Sequence, residues 1–389
     1  MSFVKRNTVL STRPGRSFPL QTQERPQQLA PGIRPSPLDG RPTTSTGTAS
    51  LDQLLAGHGG LALGTSLLIE EQGTTDFSGV LLRYYAAEGL VQGHEVHLVG
   101  YPPEWRHQLP GLTDHESRVK SAQPTAAPEE KMKIAWRYEA LGNAAASSTL
   151  PRGDSNQPPF CHTFDLSKRL IPSVCKGTLH PTPSTCPSMF GDPKATATSP
   201  LKAILKHLQT KLSSSSPTTI HRIVVPSLLS PTLYSPKCSQ PSEILQFLHG
   251  LRALLRQYST QLTAMITLPT TLFPRSSGLV RWMELLSDGV IELIPLPADP
   301  AAAPPTPLGQ NGKDQAAISQ GMLRVYTLPI YHEKGGGGIV TSTFHETLSF
   351  SLSATKGLII KPYSLPPVVG DGEKEEAVGR GNPKDSLDF

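Results

Sequence analysis

Short apolar runs alternate with amphipathic segments along the middle of this 389-residue chain. The apolar runs predict buried strands over residues 67–69, 94–100, 219–225, 262–268, 290–295, 323–331 and 349–361. A spacing of 3.6 between apolar residues predicts helices over 201–212, 243–258 and 277–286. Strands that alternate with helices indicate an α/β fold with a mostly parallel central sheet flanked by helices. We expect the last two strands to be antiparallel additions at one edge.

Stretches rich in proline and small polar residues interrupt this pattern, and the chain contains 39 prolines. We expect one α/β domain over residues 42–369, between a disordered basic arm (1–41) and a disordered charged tail (370–389). Four low-complexity insertions are expected outside the core, either as interaction elements or as tolerated loops: 113–130, 142–159, 171–199 and 298–320.

The basic residues are concentrated at the amino-terminal end. The formal net charge of +5 divides into +5 over residues 1–41, +3 over 42–369 and −3 over 370–389. An arm of this charge could contact nucleic-acid phosphates, and it could equally be a solvated tail.

The segment between the first strand and its helix has the length of a phosphate-binding loop. Residues 71–78 (Glu-Gln-Gly-Thr-Thr-Asp-Phe-Ser) keep the eight positions of G-x-x-x-x-G-K-[ST], but only Ser78 matches the pattern. Glu71, Asp76 and Phe77 replace the two glycines and the lysine that cradle and neutralise phosphate. A carboxylate about 4 Å from a phosphate oxygen costs about 4 kcal/mol at a surface-like dielectric. We therefore expect no tight Mg-ATP catalysis by this chain alone.

Thr74, Thr75 and Ser78 remain candidates for weak nucleotide contact, and a structural turn without a ligand explains the segment equally well. The glycine pattern over 46–64, with a helix that the capping-box pair Ser50 and Gln53 would start, resembles the entry to the RecA-like ATPase core. In that fold the third strand resembles h-h-h-h-D-S, whose aspartate orients a metal. Pro226 stands at that position here, so the metal-organising carboxylate is also missing.

Long segments containing tryptophan and charged residues are similar to signatures of the PAXNEB family. They are residues 32–36 (GIRPS), 131–139 (KMKIAWRYE), 160–170 (FCHTFDLSKRL), 279–284 (LVRWME) and 288–293 (DGVIEL). The resemblance runs from about residue 32 to about residue 365.

This resemblance implies a P-loop NTPase fold of the RecA-like type and a supporting role in a larger assembly. Family members form a ring of six RecA-like subunits, two each of three proteins. The ring joins the catalytic Elongator subcomplex, which modifies the wobble uridine (U34) of certain tRNAs. The implied partners are thus two other RecA-like subunits, the catalytic subcomplex and tRNA. ATP is possible at ring interfaces, and the implied location is cytoplasmic and nuclear.

Candidate contact residues follow from this expectation. Arg275 lies in a loop after a core strand, where RecA-like rings meet nucleic acid, and a plain surface loop is the alternative. Lys168 and Arg169 are candidates for tRNA or for a neighbouring subunit. The four cysteines lack C-x-x-C spacing, so no metal site is expected, and no apolar run reaches the length of a membrane span. An autonomous RecA-like ATPase acting on nucleic acid remains the alternative function.

Overall fold

The computed structural model describes residues 30–55, 59–113, 159–182, 199–297, 319–329, 348–354 and 357–363. Five α-helices lie in these ranges: α1 Ala49–Leu54, α2 Phe77–Gln92, α3 Pro200–Ser214, α4 Pro241–Gln257 and α5 Gly278–Leu286. The same ranges contain fourteen strands. They are β1 Ile33–Pro35, β2 Pro42–Thr44, β3 Leu61–Ala62, β4 Ser66–Glu71, β5 Glu95–Val99, β6 Pro110–Leu112, β7 Phe164–Arg169, β8 Thr178–Thr182, β9 His221–Val225, β10 Leu262–Pro269, β11 Gly289–Pro295, β12 Gly321–Thr327, β13 Leu348–Ser353 and β14 Gly357–Pro362.

A nine-stranded sheet forms the centre of the fold, in the order β14-β13-β12-β11-β4-β10-β9-β5-β8. The six strands from β11 to β8 are parallel to one another, and β12, β13 and β14 continue the sheet in antiparallel pairs. The predicted α/β fold with a mostly parallel sheet is therefore confirmed, as are the antiparallel additions at one edge. Strand β4, which leads into the eight-residue loop, lies between β10 and β11.

Helices cover both faces of the parallel strands, which explains why the central strands β4, β10 and β11 are mostly apolar in sequence. Ile69 and Met265 pack toward α1 and α2, while Leu68 and Ile266 pack toward α3, α4 and α5. The side chains of α3 to α5 are apolar on one face only, as their 3.6-residue spacing predicts. Helix α2 is buried on almost every side because α1 and the small sheet β1-β2-β3 lie near it.

A buried arginine joins these layers. Arg222 on β9 is fully buried, and its guanidinium donates to four acceptors at 2.7 to 3.0 Å: Thr44 Oγ1, the carbonyls of Ser45 and Tyr85, and His94 Nδ1. These acceptors come from β2 and the residue after it, from α2, and from the turn before β5. One side chain thus fixes the amino-terminal strands, α2 and the sheet relative to one another.

Several boundaries differ from the sequence predictions. The predicted strand 349–361 is instead the antiparallel pair β13–β14, and β14 begins at Gly357, whose φ is +72°. Strand β8 lies inside the predicted insertion 171–199 and pairs in parallel with β5, although Thr178–Thr182 is too polar to read as a strand. Strand β1 lies inside the predicted arm 1–41 and pairs with β2. Residues 114–158, which include the 131–139 signature, lie outside the described residues.

The predicted capping box at the start of α1 is wrong. Thr48 is the N-terminal cap of α1 and makes no side-chain cap bond. The Ser50 hydroxyl donates instead to the carbonyl of Leu358 at 3.1 Å. Ser50 therefore ties α1 to β14, and Asp52 organises the chain before the helix by accepting from Ser45 Oγ and from the backbone and side chain of Thr46.

Replacing Arg222 tests its structural role. We expect Arg222→Met to lower the free energy of unfolding by about 3–5 kcal/mol, since four buried acceptors would lose their donor. Arg222→Lys should also be strongly destabilising, because one ammonium cannot reach acceptors arranged for a planar fork. Urea denaturation of the purified variants measures the effect. The control is Arg41→Met, which removes an exposed ion pair with Asp39 and should cost no more than about 1 kcal/mol. An Arg222→Met effect as small as that of the control would contradict the assignment.

Candidate functional site

The eight-residue loop lies where ligands bind in α/β sheets, at the carboxyl ends of the parallel strands. Strand β4 ends at Glu71, and α2 begins at Phe77 after the exposed residues 72–76. Thr271, in the segment after β10, clamps the loop from the side. Its hydroxyl accepts from Gly73 N and donates to Gly73 O, both at 2.9 Å. The predicted strand-loop-helix is thus present in the predicted place.

The carboxylate of Glu71 fills the space at the start of α2. Its Oε1 accepts from Phe77 N at 2.9 Å and from Thr75 Oγ1 at 2.8 Å. Its Oε2 accepts from Ser78 N at 2.9 Å and from Ser78 Oγ at 2.5 Å. Glu71 is buried, so these bonds are shielded from water. The first amides of the helix therefore bind an anion that the chain itself supplies.

The hydrogen bonds to Glu71 engage two of the three residues that the sequence predicts as nucleotide contacts. A helix N-terminus favours negative charge because its free N–H groups and its dipole both point toward the ligand. Here Thr75 and Ser78 already donate to Glu71, and Thr74 is exposed in the loop. A phosphate at this position would have to displace a carboxylate held by four hydrogen bonds. The donor set does not fit a nucleotide phosphate while Glu71 is in place.

Asp76 adds a second negative charge at the same end of α2. It is the residue before the helix, makes no side-chain cap bond, and pairs with Arg83 at 2.8 Å on the protein surface. Phe77 occupies the position of the phosphate-loop lysine and packs edge-on against Phe350 of β13, with ring centroids 4.9 Å apart. The lysine position therefore contributes to the core and carries no charge toward the loop.

The end of strand β9, which lies beyond β10 in the sheet, has a proline where the RecA-like pattern has a metal-organising carboxylate. Strand β9 ends at Val225, and the carbonyl of the following Pro226 accepts from the Tyr234 hydroxyl at 3.1 Å. Ser227 and Leu229 have φ values of 42° and 69°, which turn the chain sharply away from the strand direction. Among the described residues, no group of three or more His, Cys, Asp or Glu side chains is arranged to hold a metal ion.

A cluster of three carboxylates lies on the opposite face of β4. Glu70, Glu284 of α5 and Glu292 of β11 are all buried. Arg275 forms a two-pronged contact with Glu284, at 2.5 and 3.1 Å, and its Nε lies 3.4 Å from Glu70. The Arg275 guanidinium also lies 3.3 Å from the centre of the Tyr326 ring. The proposed phosphate contact Arg275 is thus engaged with carboxylates inside the fold.

Glu70 has the fewest favourable polar contacts of the three glutamates in this cluster. Neither carboxylate oxygen has a hydrogen-bond partner among the described residues. Burial, followed by repulsion from Glu284, raises the pKa of Glu70 to about 8, although Arg275 opposes the shift. Sequence reasoning missed this cluster because Glu70 is far from Glu284 and Glu292 in the chain. The available signal was a charged residue in an otherwise apolar strand, Glu70 near the end of β4 and Glu292 in the middle of β11.

The other predicted contact pair lies away from the loop. Lys168 and Arg169 end strand β7, which pairs with β6 in a separate two-stranded sheet. Lys168 is half-buried, and Arg169 is exposed, with a 3.5 Å contact to the carbonyl of Gln108. The structure therefore does not bring Lys168 and Arg169 together with Arg275, which lies between β10 and α5. No helix among the described residues is long and apolar enough to cross a membrane.

Architecture and loop together define an α/β protein with a mostly parallel sheet, in which the Glu71 carboxylate occupies the position where a phosphate loop would bind phosphate. The family model described as PAXNEB protein matches residues 26–389, and the chain belongs to the PAXNEB family. Two of the family signatures, 279–284 and 288–293, fall on α5 and at the start of β11.

Curated relatives with high coverage are named Elongator complex protein 4. The protein from Schizosaccharomyces pombe is 33% identical and covers 94% of this chain and 97% of its own length. The protein from Xenopus laevis is 32% identical, with 90% and 87% covered. Among solved structures, a KaiC-like protein from Pyrococcus horikoshii OT3 is 13% identical, covers 82% of this chain and 99% of its own, and has a TM-score of 0.38.

The role of Glu71 can be tested through stability. We expect Glu71→Ala to lower the free energy of unfolding by about 1–3 kcal/mol, because the first amides of α2 lose a buried charged acceptor. Glu71→Gln should be intermediate, since its amide nitrogen would face donors. Urea denaturation checks both variants. Glu104→Ala, at an exposed site in the 3-10 turn Pro103–Gln108, is the control and should change little. Equal stability of Glu71→Ala and the wild type would contradict the assignment.

The raised pKa of Glu70 predicts a pH dependence of stability. The folded state holds the Glu70 proton up to about pH 8, whereas the unfolded chain releases it near the ordinary value of 4.5. Its contribution to stability is therefore full below about pH 4.5 and is lost as the pH rises through about 8. Glu70→Gln keeps the shape without the charge. We expect the variant to gain stability over the wild type as pH rises, by a few kcal/mol at pH 9.

Urea denaturation at pH 5, 7 and 9 measures the difference between Glu70→Gln and the wild type. A difference that stays constant over this pH range would show that Glu70 does not titrate as the structure indicates. Glu104→Gln, at an exposed carboxylate, controls for the loss of one acidic group.

Proposed function

We propose that this chain is a non-catalytic RecA-like subunit of the Elongator complex. Its role is to support modification of the tRNA wobble uridine U34 through complex assembly and tRNA binding. The names of relatives that share about a third of their residues over nearly the whole chain support the choice of assembly. The proposed partners are two other RecA-like subunits in a six-membered ring, the catalytic subcomplex and tRNA. The proposed location is cytoplasmic and nuclear.

The position of the Glu71 carboxylate at the start of α2 is the main support for a non-catalytic role. ATP hydrolysis by a P-loop requires backbone amides and a lysine around the phosphates, with a metal held by a serine or threonine and an acidic residue. In this chain the amides and Ser78 bind Glu71, Phe77 packs in the core, and Pro226 replaces the acidic residue. Every part of the catalytic set is replaced or engaged, so this pseudo-ATPase has no route to solitary hydrolysis.

The charges of the described residues favour one of the two predicted tRNA-contact sites. Arg275 lies between Glu70 and Glu284, and its guanidinium already pairs with the Glu284 carboxylate. Arg169 is exposed at the end of β7, next to Lys168. We therefore assign a tRNA or subunit contact to Lys168 and Arg169, and a structural role to Arg275.

An ATP molecule at a ring interface is compatible with this proposal if the neighbouring subunit supplies the phosphate-binding groups. No contact of the described residues favours the second candidate function, an autonomous ATPase acting on nucleic acid. The isolated chain should hydrolyse ATP only if it is an autonomous ATPase, so one preparation can distinguish the two functions.

The decisive experiment is native mass spectrometry of the tagged chain, purified gently from its own cells, together with an ATP turnover assay of the isolated chain. We expect a six-membered assembly containing two other RecA-like chains. We also expect turnover by the isolated chain at the level of a Ser78→Ala control. A monomer that retains nucleotide, or turnover that Ser78→Ala abolishes, would overturn the proposal.

A further inference from the structure

A groove runs along the outer edge of strand β14. It has a volume of about 430 Å³. One wall is β14 from Gly357 to Lys361, and the other is the chain at residues 162–164 before and at the start of β7. The start of α1 and the side chain of Tyr84 close it from the inside. Its size falls in the range of ligand-binding clefts.

The backbone of β14 presents unpaired groups to this groove. β14 is an edge strand of the nine-stranded sheet. Its residue Ile360 stands opposite Phe350 of β13, and the Phe350 carbonyl accepts from Gln320 N on the far side. Phe350 therefore directs its backbone groups away from β14, and the N–H and C=O of Ile360 point outward, because paired residues of an antiparallel ladder alternate in this way. The described residues include no hydrogen-bond partner for these two groups.

Two buried hydroxyl groups beside the groove also lack partners among the described residues. They are Tyr84 Oη and Thr48 Oγ1, on side chains that are 3% and 6% exposed. Burial of a hydroxyl group without a hydrogen bond is unfavourable, and native structures avoid it. Gly357 leaves room for this arrangement, since a Cβ there would lie 2.8 Å from Tyr84 Oη. A ligand that offers hydrogen-bonding groups at regular intervals would satisfy both hydroxyls and the strand edge.

Charge further limits the ligand. Lys361 is exposed at one end of the groove, and no ion pair to it is found among the described residues. The apolar lining comes from Phe164, Leu358 and Ile360. An extended polypeptide has the matching features: alternating backbone donors and acceptors, apolar side chains on one face, and a carboxylate for Lys361.

We propose that the β14 groove binds an extended segment of another polypeptide, which adds a strand to β14 and places an acidic side chain or chain terminus against Lys361. The choice of another polypeptide rests on the proposed role as a subunit of an assembly. Backbone bonds to Ile360 would supply most of the affinity, while Lys361 and the hydroxyls of Tyr84 and Thr48 would fix the register.

A photo-crosslinking amino acid at Gln53, an exposed residue that lines the groove, tests this proposal in the purified assembly. We expect a crosslink between position 53 and a segment of a different chain, identified by mass spectrometry. Lys361→Glu should reduce its yield about fivefold or more, and Lys361→Arg should preserve it. Gln209, exposed on α3, carries the crosslinker in the control for random collision.

Tyr84→Phe separates a binding role from a structural one. Loss of an unpartnered hydroxyl should leave the isolated chain as stable as the wild type or slightly more stable, yet lower the crosslink yield in the assembly. A structural hydroxyl would instead change stability and crosslinking together.

The alternatives give distinct results. A crosslink from position 53 to another part of the same chain would show that the groove has an internal occupant, and the proposal would be wrong. An intact assembly with no crosslink would also overturn it, and Lys361 would then only protect the sheet edge from pairing. Absence of the assembly itself by native mass spectrometry would count against the proposed function instead.

Discussion

The packing of α2 and the amino-terminal strands against the sheet depends on one buried cation. Arg222 lies with no exposed surface between the sheet and α2, and its charge is tolerated because four acceptors surround the guanidinium. One of these acceptors, His94, must be neutral to accept on Nδ1, and burial followed by the Arg222 charge lowers the pKa of His94 to about 3. The other ring nitrogen then donates to the carbonyl of Pro31 at 2.8 Å. A single charge on β9 thus determines where the chain enters the domain.

The need of buried polar groups for hydrogen-bond partners also shapes the loop at the carboxyl end of β4. Since Arg222 holds α2 through Tyr85, the N-terminus of α2 faces Glu71 in a fixed position. The helix amides need an acceptor, and the glutamate needs donors once it is buried. The amides of α2 and the Glu71 carboxylate therefore bind each other, and a position that typically binds phosphate is a helix cap here. Glu71, which departs from the phosphate-loop pattern, is therefore also the residue that caps the start of α2.

Sequence patterns predicted the elements of the core and the position of the loop, because apolar runs and helical spacing report burial directly. They could not predict β8, whose residues Thr178–Thr182 are polar and contain a proline, since its pairing with β5 comes from the sheet edge that β5 offers. The sequence also identified Glu71, Asp76 and Phe77 as departures from a phosphate loop. It could not show that Glu71 binds the helix amides or that Arg275 faces Glu284, because both facts depend on side-chain directions in the folded chain.

The two consecutive glutamates of β4 connect the central strand to the helices on both faces of the sheet. Adjacent residues of a strand point to opposite faces, so Glu71 reaches α2 while Glu70 reaches α5. The carboxylate of Glu71 accepts from the first amides of α2, whereas Glu70 keeps its proton up to about pH 8 and lies 3.4 Å from Arg275. Arg275 in turn pairs with Glu284 of α5. Side chains of the protein itself therefore fill both faces of the strand end, and each of them holds a helix against the sheet.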